Sequence, residues 1–72
     1  MELRLAALEP GARARLSEGP GLPELERLGM TPGTRVRCLR RCPLGGPVLY
    51  EVRGAVLALR RSEAARIPAE AL

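Results

Sequence analysis

A chain of 72 residues with 12 arginines, 8 glutamates and a net charge of +4 has room for one modest hydrophobic core and none for a second, so it reads as a single domain, 1–72. Histidine, lysine, aspartate, asparagine and glutamine are absent, which removes most general bases and most partners of a nucleophile, and so small a fold cannot line a deep cleft; an enzyme is not expected. No apolar run approaches the roughly 20 residues of a membrane span and no charged start leads into an apolar stretch, so the expected location is the cytoplasm.

Glycine and proline cut the chain into short pieces at Pro10-Gly11, Gly19-Pro20-Gly21, Pro32-Gly33, Pro43 to Pro47 and Gly54. Short elements at that spacing predict a mainly β fold, a small barrel. Leu5-Ala6-Ala7-Leu8 fits one helical turn capping an open barrel end. Ala12-Arg13-Ala14-Arg15-Leu16 alternates small apolar residues with arginine, the period of a strand with one buried face. Leu22, Leu25 and Leu28 recur every three residues behind Pro23, with Glu24 and Glu26 near the positive end and Gly29 as the stop; this predicts a short inserted helix of about two turns.

Thr31-Pro32-Gly33-Thr34 has the order of a type II turn, in which glycine takes the positive φ. The strand that follows, Arg35 to Arg40, places Val36 and Cys38 on its inner face and leaves Leu39 outside or under a loop. Arg41 to Pro47 is a loop. Val48, Tyr50 and Val52 then alternate against Leu49, Glu51 and Arg53, Gly54 reverses the chain, and Val56 to Arg60 forms the return strand. Ser62 is placed to cap a single helical turn, and Ile67 with Ala69 reads as a final edge strand blunted by Pro68. The total is about five strands, one inserted helix and helical turns near both termini.

Charge is uneven: residues 1–26 hold three arginines and five glutamates, whereas 27–50 hold five arginines and no acid. The cluster Arg35, Arg37, Arg40 and Arg41, joined by Arg53, Arg60 and Arg61, suits an acidic surface or phosphate, although arginines on outward strand positions also simply keep a small barrel soluble. Nucleic acid is not expected, because no aromatic residues interleave with the arginines to stack bases, and a proline-peptide groove is excluded because Tyr50 is the only aromatic. Cys38 and Cys42 are too few for a metal site, their spacing is unsuitable, and no histidine completes a set. They read as a core thiol and a loop thiol, in a compartment that keeps them reduced. No metal and no cofactor is expected.

The ordered motifs resemble the FeoA family of ferrous iron transport proteins. Leu8-Glu9-Pro10-Gly11 is similar to the family's opening, and Leu25 to Met30 with Pro32-Gly33 to its LxxLGLxPG segment. Arg41 to Pro47 is similar to its R-x-P-L-G-x-P loop, and Gly54, Leu57-Ala58-Leu59-Arg60 and Glu63 to Ile67 to its closing segment. Cys42, Arg4 and Pro68 depart from the pattern. The resemblance implies an SH3-like barrel and a non-enzymatic accessory role toward the membrane GTPase transporter FeoB, whose cytoplasmic GTPase domain is the expected partner. Membrane contact is then indirect. The expected contact residues are Leu25, Arg27, Leu28, Gly29 and Met30 at the helix exit, with Arg40 and Arg41. Leu22 and Leu28 alternatively close the barrel end by helical spacing. A stand-alone barrel of the metal-dependent-repressor or translation type, binding another protein or RNA, is the competing reading, and weak self-association is left open.

Overall fold

The computed structural model describes residues 1–19 and 21–72; Pro20, within the Gly19-Pro20-Gly21 punctuation, lies outside the described residues. Six strands form one antiparallel sheet: β1 (Glu2–Arg4), β2 (Arg13–Leu16), β3 (Arg35–Arg41), β4 (Val48–Val52), β5 (Ala55–Leu59) and β6 (Pro68–Ala71), in the spatial order β1-β6-β2-β3-β4-β5. A 3₁₀ turn (Leu5–Ala7) follows β1, helix α1 (Pro23–Arg27) lies between β2 and β3, and helix α2 (Arg61–Ala64) lies between β5 and β6. The 3₁₀ turn packs on α2.

Strand alternation builds the core. Ala14 and Leu16 of β2, Val36 and Cys38 of β3, Val48, Tyr50 and Val52 of β4, Leu59 of β5 and Ala69 of β6 all point inward, and Leu5, Leu8, Met30, Ala64 and Ile67 fill the ends. Each fully buried leucine or valine contributes about 1.5–3 kcal/mol. Two turns fix the register. Thr34 N–H donates to the Thr31 carbonyl at 3.0 Å with Gly33 at φ +86, so the Pro-Gly turn forms as expected. Between β4 and β5 only Arg53 and Gly54 intervene, both at positive φ (51 and 82) and closed by the Val52/Ala55 pair; this is the two-residue hairpin whose twist matches its strands.

The fold departs from the sequence reading in four places. There are six strands, not about five: β1 adds to the sheet by pairing with β6, Glu2 opposite Glu70 and Arg4 opposite Pro68. As a result β6 is interior, not an edge, and Pro68 is tolerated because it occupies the strand's first position, where a missing N–H costs little. The sheet's edges are β1 and β5. Helix α1 is five residues long, shorter than the two turns expected. Ser62 does not cap α2; Arg60 is the N-cap residue, and its N–H is taken by the Glu63 carboxylate at 2.9 Å. A register shift between Cys38 and Arg40 makes Leu39 the extra residue of a β-bulge, where it is half-buried rather than on the fully outward face.

Candidate protein-binding surface

Pro23 opens α1 and Glu24 and Glu26 sit in its first turn, where carboxylates meet the positive helix end; Arg27 lies in the last turn. Gly29, at φ +98, ends the helix and sends the chain inward. Its carbonyl accepts hydrogen bonds from Thr34 Oγ1 at 3.0 Å and from Arg53 Nε at 3.4 Å, while Arg53 also donates to Thr34 Oγ1 at 3.4 Å. A Cβ on Gly29 would lie 2.7 Å from Arg53 Cδ, so the glycine admits the arginine stem. This lock fixes the helix exit against the starts of β3 and β5.

The leucines of α1 divide differently from the periodic expectation. None of the three is fully buried: Leu22 and Leu25 are half-buried, with Leu25 packed against the core, and Leu28 is 52% exposed. Leu28 therefore does not close the barrel end. Met30, expected at the contact surface, is 0% exposed, because the reversal at Gly29 turns it into the core. It is not a contact residue. Leu22, Leu25 and Arg27 line a hollow of about 370 Å³ with Pro23, Glu24 and Glu63 of α2. Leu28 and Gly29 follow directly at the helix exit, outside that lining.

Arg40 and Arg41 belong elsewhere. Arg41 lies at the far end of β3, six residues and roughly 20 Å from Arg35, the strand's first residue. Arg41 is also occupied, since its Nη2 donates to the carbonyls of Ala6 and, at 3.0 Å, of Leu8. It fastens the 3₁₀ turn to β3 and so has a structural role in the fold; Arg40 beside it is exposed. Arg61 is likewise committed, holding the β3–β4 loop through Nε to the Gly46 carbonyl (3.1 Å) and Nη2 to the Cys42 carbonyl (3.0 Å). That loop displays Leu44 fully in solvent at φ +58.

The remaining arginines assemble a feature that only strand pairing reveals. On the outer face of β2, β3 and β4, Arg13 stands opposite Arg37, Arg15 opposite Arg35, and Arg37 opposite Glu51. A groove of about 790 Å³ runs over Arg13, Arg35, Arg37, Arg53 and Glu51. Within it Arg37 pairs with Glu51 at 3.4 Å.

Burial pushes the Cys38 thiol up from its ordinary value, partly offset by the charge of Arg41 and a backbone hydrogen bond at Arg40. Cys42 is half-buried in the loop, and both thiols are free. Among the described residues no group of three or more cysteine or glutamate side chains converges as a metal site would require. Tyr50 is wholly buried with its hydroxyl donating to the Leu5 carbonyl at 2.9 Å, and desolvation is the main cause that pushes it up to about 12. No helix among the described residues is long and apolar enough to cross a membrane.

The FeoA domain model matches residues 3–71. Among solved structures, the chain is similar to a crystal structure of an iron uptake regulatory protein, FeoA, with 26% identity and TM-score 0.88 over 100% of this chain and 99% of the other. It is similar to the FeoA protein of Chlorobium tepidum in solution, with 32% identity and TM-score 0.85 over 97% of this chain and 70% of the other. It is also similar to the zinc-complexed FeoA of Stenotrophomonas maltophilia, described as a procaryotic SH3 domain protein, with 29% identity and TM-score 0.81 over 94% of this chain and 89% of the other. Comparison with curated protein sequences finds no match.

Proposed function

The chain belongs to the FeoA domain family, and we propose from that premise that it is a non-enzymatic accessory protein of ferrous iron transport which binds the cytoplasmic GTPase domain of a FeoB-type transporter. The observation that carries the contact is the exit of α1, where Leu28 stands 52% exposed beside Arg27 and half-buried Leu25 on a backbone locked by Gly29, Thr34 and Arg53. An exposed apolar side chain next to an arginine, on a pre-ordered backbone, loses little entropy on docking, and arginine is among the residues that most often anchor protein interfaces. The residue inventory supports binding over catalysis, since histidine, lysine and aspartate are missing from the whole chain.

The test is a titration of the purified GTPase domain against wild type, Leu28→Glu and Arg27→Glu. Wild type is expected to bind with a Kd of about tens of micromolar or tighter, and each variant to weaken binding roughly tenfold or more, about 1.4 kcal/mol. Because both side chains are exposed, thermal unfolding of the variants stays at the wild-type temperature. Unchanged affinity in both variants removes this surface from the interface; absence of wild-type binding removes the partner.

A further inference from the structure

The outer face of β2–β4 carries a charge arrangement that works against the fold. Arg13 faces Arg37 and Arg15 faces Arg35 across the β2–β3 ladder, and like charges directly opposite one another on neighbouring strands destabilise a sheet. Arg53 closes the far side of the groove at the β4–β5 turn. Arg15 lies beside the groove and the other four arginines line it; among the described residues the only side-chain carboxylate lining it is Glu51, paired with Arg37, and Leu72 with its terminal carboxylate lies at its margin. Glu70 stands opposite Arg15 from β6, but its carboxylate is drawn to the amino group of Met1 at 3.3 Å. Arg37 Nε is buried without an acceptor. The exposed guanidinium groups of Arg13, Arg15 and Arg35 can donate charge-assisted hydrogen bonds to an incoming anion.

We infer that this face is a docking site for an acidic polypeptide segment in extended conformation, with carboxylates at alternate positions. The spacing supports it. Arg13 and Arg15 on β2, and Arg35 and Arg37 on β3, are each two residues apart, a repeat of roughly 6.7 Å; an extended Glu-x-Glu chain laid along the strands has the same repeat on one side. A guanidinium fork takes a carboxylate in two parallel hydrogen bonds, so the two arginine rows and the carboxylate row are complementary in charge, geometry and period. Single-stranded nucleic acid fits less well, because the sole aromatic side chain, Tyr50, is wholly buried and offers no ring for a base. A second copy of the chain is disfavoured by its own net charge of +4. The site shares Arg53 with the lock behind the Leu28 surface, but its arginine rows on β2 and β3 are separate from that surface, and it does not depend on the identity of the GTPase partner.

The experiment uses a labelled peptide of alternating glutamate and threonine, about nine residues long, read by fluorescence anisotropy at low salt. A lysine-for-glutamate peptide and a short oligothymidylate are the other arms. The acidic peptide is expected to bind, to move amide signals of β2, β3 and the β4–β5 turn, and to lose affinity in high salt; the basic peptide is expected not to bind. Arg35→Glu is the decisive variant, because it replaces a like-charge pair with an Arg15/Glu pair. It is expected to lower peptide affinity roughly tenfold while raising the unfolding temperature by a few degrees, a combination that loss of fold cannot produce. Arg13→Gln should shift both quantities in the same directions by less. The inference is overturned if the oligonucleotide binds more tightly than the acidic peptide, if Arg35→Glu leaves peptide affinity intact, or if the peptide moves only the α1 signals. Titration of the GTPase domain is a separate readout: Leu28→Glu weakens it and Arg35→Glu does not, so each reading can fail without the other.

Discussion

The two ends of β3 are built in different ways. At its Arg41 end the chain concentrates long-range internal contacts: Arg41 holds the carbonyls of Ala6 and Leu8, Tyr50 donates to the Leu5 carbonyl, Arg61 pins the Cys42–Pro47 loop, and Leu5 at the start of the 3₁₀ turn is wholly buried. At its Arg35 end the chain instead leaves Leu28 and Arg27 outside and ties the helix exit with the bonds that converge on Gly29 and Thr34. One end is an internal fastening and the other a display. Stability is not uniform across a fold, and exposed residues at the second end can be lost without unfolding it even though Met30 and Thr34 are buried behind them.

The largest effect that sharpens this contrast is removal of apolar volume. Leu5→Ala is expected to cost about 2–5 kcal/mol, enough to unfold much of a domain this small, whereas Leu28→Ala stays within about 0.5 kcal/mol. Denaturant titration of both measures it. Equal costs for the two leucines would show that the α1 end carries as much stability as the other.

Next in size is an alkaline instability confined to the fastened end. Tyr50 ordinarily ionises near 10 and is pushed up to about 12 in the folded protein, first by desolvation and then by the neighbouring Cys38. The neutral hydroxyl is the form the core keeps, so the contribution is fully present below pH 10. Above that value the unfolded chain releases the proton before the folded one does, and stability falls by about 1.4 kcal/mol per pH unit until roughly pH 12. The raised Cys38 thiol adds a fall of the same sign that begins lower, near its ordinary value of 9.0. Urea titrations at pH 9, 10 and 11 should show the decline, and Tyr50→Phe should flatten its upper part while lowering the neutral-pH stability by about 0.5–1.5 kcal/mol.

A smaller effect separates two adjacent arginines. Arg41→Met removes the donors to two carbonyls and is expected to cost about 2 kcal/mol, while Arg40→Met, at an exposed position, stays within about 0.5 kcal/mol. A matched pair of thermal melts settles it, and a neutral Arg41→Met would make the Arg41 contacts incidental.

These neighbours also show what could be read from the chain alone. Alternation placed Val36, Cys38, Val48, Tyr50 and Val52 inside, and proline-glycine order placed the turn at Gly33, because both signals lie within a few residues of sequence. The short helix α1 and its stop at Gly29 are legible for the same reason, since Pro23 and Gly29 bracket it locally. Arg41 could not be separated from Arg40, since its acceptors lie 33 and 35 residues away. Met30 follows an exposed leucine and a glycine in sequence, and only the positive φ at Gly29 turns it into the core. The facing arginine pairs depend on register between β2 and β3, which no single strand's pattern contains. Three-residue β1 is too short to show a period, and without it the sequence makes β6 an edge.

The smallest effect tests whether the fastened end is wholly given over to stability. Leu44 sits at the tip of the Cys42–Pro47 loop at φ +58 and is fully exposed, so it has neither the backbone preference nor the burial that would justify a leucine there. A left-handed conformation costs a branched side chain about 1 kcal/mol relative to residues that adopt it readily, and asparagine is one of these without glycine's entropy in the unfolded chain. Leu44→Asn is therefore expected to raise stability by about 0.5–1 kcal/mol, with Arg61 still holding the loop through the Gly46 and Cys42 carbonyls. Thermal unfolding of this variant decides between two accounts. A rise means that the loop displays a leucine at the expense of its own backbone, so the fastened end presents a residue as the helix exit does; a fall means that Leu44 is part of the fastening, and the contrast between the two ends is complete.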